Sequence, residues 1–220
     1  FLIAGIWHGP SWLYVIFGAL HGFGIITTAA ANISKDGQGW KGELGLYDDK
    51  YIDNLIKLVN SVHNHDSLIF AQLFHGGMRA PESLTGTQPI SASRVACKES
   101  STGFTKPASA DDIRRIIRDF TLAAERCVRS GFDGIELHGA HGYLISQFLG
   151  KETNLRKDEW GGDIEGRSKF IIEIYRSIKN SVPESFIVGV RISPEIDNLG
   201  IDLDDSIDLA VLLKDEGIDF

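Results

Sequence analysis

The most constraining feature of this sequence is an alternation. After residue 24, a short apolar run followed by a stretch of helical period occurs four times. The runs are residues 24–33, 68–75, 131–138 and 186–193, each with the partly continuous apolar character of a strand buried on both faces. A fifth, residues 218–220, has only begun where the sequence stops. Between them, Ile52, Leu55, Ile56, Val59 and Val62 mark one amphipathic helix, and Ile113, Ile116, Ile117, Phe120, Ala124, Cys127 and Val128 a second. Phe170, Ile171, Ile174 and Ile178 mark a third, and Leu209, Leu212 and Leu213 a fourth. Ser109 to Asp112 reads as a capping box before the second helix and Gly131 as its terminator. Strand alternating with helix implies parallel βα units.

A barrel and an open doubly wound sheet both satisfy that pattern, and the polar residues separate them. Gln72, His75, His138, His141 and Arg191 fall at or just beyond the C-terminal ends of different runs. A (β/α)8 barrel collects its chemistry on that rim, whereas an open sheet places its ligand at a single switch point. The literal G-x-G-x-x-G at Gly37, Gly39 and Gly42 does not change this. A dinucleotide fingerprint opens a helix directly, yet here Glu-Leu-Gly-Leu-Tyr intervenes before the helical pattern, so a glycine-rich loop is expected.

With 22 Lys and Arg against 30 Asp and Glu, the net charge of -8 and the lack of a basic stripe argue against nucleic acid as a partner. Cys97 and Cys127 have neither paired nor metal-type spacing. Cys127 lies on a helix's apolar stripe, so a reduced, buried thiol and a cytoplasmic location are expected. Residues 1–23 stand apart. From Phe1 to Ile26 there is no Asp, Glu, Lys or Arg, a length and composition that suit a membrane-helix remnant.

The densest constellation is His138-Gly-Ala-His141-Gly-Tyr143, where two imidazoles and a phenol converge at the end of the third run. Imidazole N–H groups can stabilise enolate-like charge on a carbonyl oxygen while a phenol protonates carbon. That division of labour suits conjugate reduction. A zinc site made of His75, His138 and His141 is the metal alternative, weakened by the lack of an early His-x-His and of a downstream carboxylate cluster.

The segment Gly131-Phe-Asp-Gly-Ile-Glu-Leu-His-Gly-Ala-His-Gly-Tyr-Leu-Ile-Ser-Gln-Phe-Leu149, with Asn154-Leu-Arg-Lys-Asp-Glu-Trp-Gly-Gly162, Arg167 and Gln72-Leu-Phe-His-Gly-Gly77, closely resembles the signature of the Old Yellow Enzyme family. The resemblance covers about residues 24–220. It implies a (β/α)8 barrel that binds FMN and uses NADPH or NADH to reduce the activated C=C bond of a small enone-type substrate. In that scheme Gln72 meets the pyrimidine edge of the flavin, Arg191 sits beside N1 and O2, and the backbone around Ala29 approaches the ring. His138 and His141 would hold the substrate carbonyl and Tyr143 would protonate Cα. The alternative for Arg191 is an ion pair with Glu136 inside the barrel. Arg156, Asp158 and Arg167 would fix the long loop after the third strand.

The sequence departs from the family's pattern in three places. Residues 1–23 stand where the first strand belongs, and their Gly5-Ile-Trp-His-Gly core resembles the Trp-His-Gly motif of membrane-bound O-acyltransferases, with His8 as the histidine. The sequence stops at Phe220, before the loops expected to hold the FMN phosphate. Gly150-Lys151 and Trp160 replace the usual Ser-Pro and Tyr. The expectation is therefore a partial (β/α)8 barrel over residues 24–220, truncated at both ends, joined to an apolar segment over 1–23.

Overall fold

The computed structural model describes residues 24–220. Its elements alternate as the periodicity requires: β1 (Ile25–Thr27), β2 (Ala31–Asn32), β3 (Leu44–Gly45), α1 (Ile52–His63), β4 (Leu68–Phe74), α2 (Glu82–Thr85), β5 (Ile90–Ser91), β6 (Lys106–Pro107), α3 (Ala110–Arg129), β7 (Gly134–Gly139), α4 (Leu144–Leu149), α5 (Ile164–Lys179), β8 (Ile187–Ile192) and α6 (Leu203–Asp215). The main sheet is parallel in the order β3-β2-β4-β7-β8, with β1 also on β4. From β2 to β8 the spatial order follows chain order without reversal. A doubly wound sheet reverses at a switch point, so this order is that of a barrel wall.

The first apolar run is not one strand. Thr27 pairs with Phe70 and Ala31 with Leu73, so residues 28–30 stand opposite only 71–72, a β-bulge. Thr28 causes it. Its N–H donates to the Phe70 carbonyl at 2.9 Å, while its hydroxyl oxygen accepts from the Gln72 N–H at 3.1 Å, the place a backbone carbonyl would take in a regular ladder. Ala29 is left exposed at the bulge.

Register sorts the two sheet faces, because residues paired across parallel strands point the same way. One face carries Ala71, Leu73, Ile135, Leu137 and Val188, all with zero exposure, and the helical stripes of α3 (Ile113, Ile116, Phe120) and α5 (Phe170, Ile171, Ile174, Ile178) are equally buried. Phe148 of α4 stacks on Phe170 at 4.1 Å between centroids. Truncating such a ring to Ala costs about 3–5 kcal/mol. On the other face, Phe70 and Phe220 stack at 5.5 Å. Two glycines permit this: a Cβ on Gly134 would lie 3.1 Å from the Phe70 ring, and one on Gly189 2.2 Å from that of Phe220. The fifth run does begin a ladder, since Asp219 N–H donates to Val188 and Val190 N–H to Phe220.

The capping box is present, with Ser109 and Asp112 exchanging side-chain and backbone bonds. At the far end Gly131 N–H donates to Val128 and Phe132 N–H to Cys127, the reciprocal pair of a Schellman motif, with Gly131 at φ +84°. That turn delays β7 to Gly134, three residues after the apolar run starts. Cys97 and Cys127 are both free and buried. Among the described residues no helix is long and apolar enough to cross a membrane. The membrane-remnant reading of residues 1–23, with His8, lies outside the described residues.

Candidate functional site

β7 carries His138 to its C-terminal end, fully inside the wall at 3% exposure. The Ala140 N–H donates to its Nδ1 at 3.3 Å, so the neutral ring holds its proton on Nε2, which has no hydrogen-bond partner among the described residues. His141 and Gly142 then take successive left-handed conformations, φ +59° and +74°. This is a rare state for a histidine, costing about 1 kcal/mol or more, and it folds the chain back on itself. As a result the rings of His141 and Tyr143 each come to 4.9 Å from that of His138, and Phe74 at the end of β4 lies 4.9 Å from Tyr143. The His141 N–H reaches Ser193 after β8 at 3.3 Å.

Gln147 on α4 holds this turn, and sequence reasoning missed it. Its fully buried amide donates to the carbonyls of Gly76 and Gly142 and accepts from the Met78 N–H, tying the loops after β4 and β7 together. With Ser146 it is one of two polar residues inside a buried helical turn of Leu, Ile and Phe, which was the available signal.

The surroundings are cationic. Arg191 pairs in register with His138 and forms no ion pair among the described residues. The Glu136 alternative is overturned: Glu136 instead accepts from the Gln72 amide at 2.5 Å, in the row directly below. The Arg79 guanidinium stands 5.8 Å from the Tyr143 ring centre. Burial, the neighbouring His141 and Arg191 push the His138 imidazolium down to about 3. Burial, Arg191 and Arg79 push His141 down as well. Burial pushes the Tyr143 phenol up, against Arg79 and with Glu43. At neutral pH the cluster therefore offers uncharged imidazole N–H donors and a protonated phenol.

The sequence-selected residues divide accordingly. His138, His141, Tyr143 and Arg191 come together on one rim, Gln72 lies one row deeper on the same face, and Ala29 is exposed at the bulge of the neighbouring strand. His75 does not join them. Its ring turns to Asp36, 3.7 Å away, so the three-histidine zinc reading fails on geometry. Gly39 and Trp40 of the glycine motif donate their N–H groups to the Glu43 carboxylate, closing a loop that opens no helix. Arg156 grips Asp158 and the carbonyls of Ala92 and Ala108, and Arg167 grips Leu149, Gly162 and Asp205, so both anchor the loop as expected.

Comparison with known proteins fits this arrangement. Residues 9–220 match the model of the NADH:flavin oxidoreductase / NADH oxidase family, a match that begins inside the segment set apart by composition. The probable NADH-dependent flavin oxidoreductase YqiG of Bacillus subtilis is 32% identical over 202 residues, 90% of this chain and 54% of that protein. The 12-oxophytodienoate reductase 1 of Oryza sativa is 35% identical over 180 residues, 79% of this chain and 47% of that protein. Among solved structures, the old yellow enzyme homologue of Zymomonas mobilis superposes with a TM-score of 0.85 at 29% identity, covering 97% of this chain and 63% of that one. The sheet described above is thus a partial (β/α)8 barrel, the chain spans about half the length of these two curated relatives, and it belongs to the NADH:flavin oxidoreductase / NADH oxidase family.

Proposed function

We propose that this chain carries the substrate half of an FMN-dependent ene-reductase site, acting on α,β-unsaturated carbonyl compounds with NADH or NADPH as reductant. The observation that supports it best is the packing of two imidazoles, whose charged forms burial disfavours, with a phenol at 4.9 Å from the His138 ring, beside an arginine that has no ion pair among the described residues. The residues present also fit a flavin. Arg191 is a half-buried guanidinium without a counter-ion among the described residues, suited to the edge of the ring that becomes negative on reduction. Gln72 gives its amide hydrogen to Glu136, which leaves its carbonyl oxygen to accept from a ring N–H. The bulge exposes the peptide at Ala29.

Bound FMN supplies the hydride. The protein's own part is to hold the substrate oxygen at the imidazole N–H groups of His138 and His141, where charge develops in the transition state. Tyr143 keeps its proton at neutral pH and delivers it to Cα. Phe74 walls the phenol against water. The test is anaerobic: NADH should bleach the flavin absorbance of the FMN-loaded enzyme, and cyclohexenone should restore it. Bleaching followed by reoxidation with oxygen only would sink the ene-reductase reading and leave an NADH oxidase.

A further inference from the structure

Most arginines of the described chain are neutralised: Arg114, Arg115, Arg126, Arg129, Arg156 and Arg176 all hold carboxylates. Arg79 has neither an ion pair nor a side-chain hydrogen bond among the described residues, although the chain carries a net charge of -8. Three other arginines also lack an ion pair among the described residues: Arg94 lies over the Phe104 ring, Arg118 is exposed on α3, and Arg191, beside His138, is the one assigned above to the flavin edge. Arg79 is not an idle surface cation. It ends the short 3-10 turn Gly77–Arg79 directly after β4, and the preceding Met78 N–H is fixed by the buried Gln147. Its guanidinium lies 5.8 Å from the Tyr143 ring centre, and its Nε is 3.4 Å from where a Cβ on Gly142 would stand. Neither Glu136, which accepts from Gln72, nor Glu43, whose Oε2 accepts from the N–H groups of Gly39 and Trp40 and whose Oε1 has no partner among the described residues, forms an ion pair with Arg79. A guanidinium held on a fixed turn, exposed at a rim and lacking a partner has five donors set for an oxyanion.

We propose that Arg79 is the receptor for an anionic group, carboxylate or phosphate, borne by the ligand that lies over His138, His141 and Tyr143. The inference rests on the reading that this rim is the substrate face. Two ligands of that site carry such a group: the pyrophosphate of the nicotinamide cofactor, and the carboxylate of an unsaturated acid. A neutral enone carries none, which makes it the control.

The experiment titrates the oxidised FMN-bearing enzyme with tetrahydroNAD, a nicotinamide form that cannot donate hydride, with acrylate and with cyclohexenone, following perturbation of the flavin spectrum, in unsubstituted, Arg79→Gln and Arg79→Lys forms. Arg79→Gln should weaken one anion about tenfold, the factor for losing one charge-assisted hydrogen bond, and leave cyclohexenone within about twofold. Arg79→Lys should recover part of that loss, and added salt should weaken the anion less in Arg79→Gln than in the parent. Selective loss for tetrahydroNAD identifies phosphate, and selective loss for acrylate identifies a carboxylate substrate. Equal weakening of cyclohexenone, or unchanged affinity for both anions, would overturn the proposal. Because binding is read without turnover, a failure of ene reduction leaves this result independent.

Discussion

His75 and His138 stand near the C-terminal ends of neighbouring strands, one register row apart and so on opposite faces of the sheet, and they differ in almost everything that follows. His75 directly follows β4 and His138 is the penultimate residue of β7, and each accepts a backbone N–H at Nδ1 from two residues on, Gly77 at 3.0 Å and Ala140 at 3.3 Å. Both rings are buried. Beyond that the environments are opposite in sign. His75 Nε2 faces Asp36, itself bound to Arg115 at 2.6 Å, and a Cβ on Gly37 would strike the His75 ring at 2.6 Å. Burial works against the Asp36 charge, but His75, Ser34 and Arg115 outweigh it and hold the carboxyl far below its usual range. His138 faces His141, Tyr143 and Arg191 and no carboxylate. One local turn thus builds a sealed clamp in the first case and a donor set for a ligand in the second. Position on the rim does not by itself make a histidine functional.

If that contrast is right, substitutions at the β7 end should change rates and those at the β4 end should change stability. The largest effect is expected for Tyr143→Phe. Losing the acid should slow flavin reoxidation by enone about 10²–10⁴-fold while reduction by NADH stays within about twofold. Stopped-flow measurement of the two half-reactions checks this, and equal losses in both would remove Tyr143 from its role. Asp36→Asn should act in the other sense. It leaves the buried His75 without its anion and Arg115 with Asp119 alone, at a cost of about 2–3 kcal/mol, reduced from that of a fully buried pair because Asp36 and Arg115 keep some exposure. Urea denaturation of the FMN-free protein gives that figure. A variant of normal stability but impaired turnover would show that the clamp belongs to the active site.

The same contrast explains what was legible in the sequence. Strand and helix alternation came through because it is a period, and the capping box at Ser109 and Asp112 because its residues are local. The bulge at Thr28 did not, since a hydroxyl standing in for a carbonyl leaves no trace in apolar periodicity. The His138, His141 and Tyr143 constellation was readable because one turn brings together residues close in the chain. Gln147 and Arg79 were not, because their roles arise from contacts between the loops after β4 and β7. The alternative of a Glu136 ion pair for Arg191 rested on residue type alone, and the register puts Glu136 opposite Gln72 and Gly189, and Arg191 one row higher beside His138.

A smaller effect is expected for His138→Gln. An amide N–H can still point at a substrate oxygen, though not from the position of Nε2, so phenol-type ligands should weaken about tenfold, with stability changing by about 1 kcal/mol or less. Spectral titration and urea denaturation separate the two. A stability loss as large as that of Asp36→Asn would make His138 a structural residue like His75.

The subtlest expectation concerns acid, and it distinguishes the clusters by sign. In the folded protein His138 takes a proton only near pH 3, because burial, His141 and Arg191 oppose its charge, whereas in the unfolded chain it does so near 6.5. Between those values the unfolded state binds one more proton than the folded state. Stability contributed by keeping this ring neutral is therefore fully present above 6.5 and is lost as pH falls toward 3, with a slope approaching about 1.4 kcal/mol per pH unit for one group. Asp36 shares the sign but not the window. Its carboxyl lies below its ordinary value of 3.8, so its contribution starts to fail only under stronger acid. Comparing urea stability of the parent and His138→Gln from pH 6.5 downward isolates the first term, since Asp36 is common to both. The difference between the two proteins should shrink or reverse as pH drops toward 4. A difference constant over that range would mean that His138 titrates normally, and that Arg191 and His141 do not confront it as the structure places them.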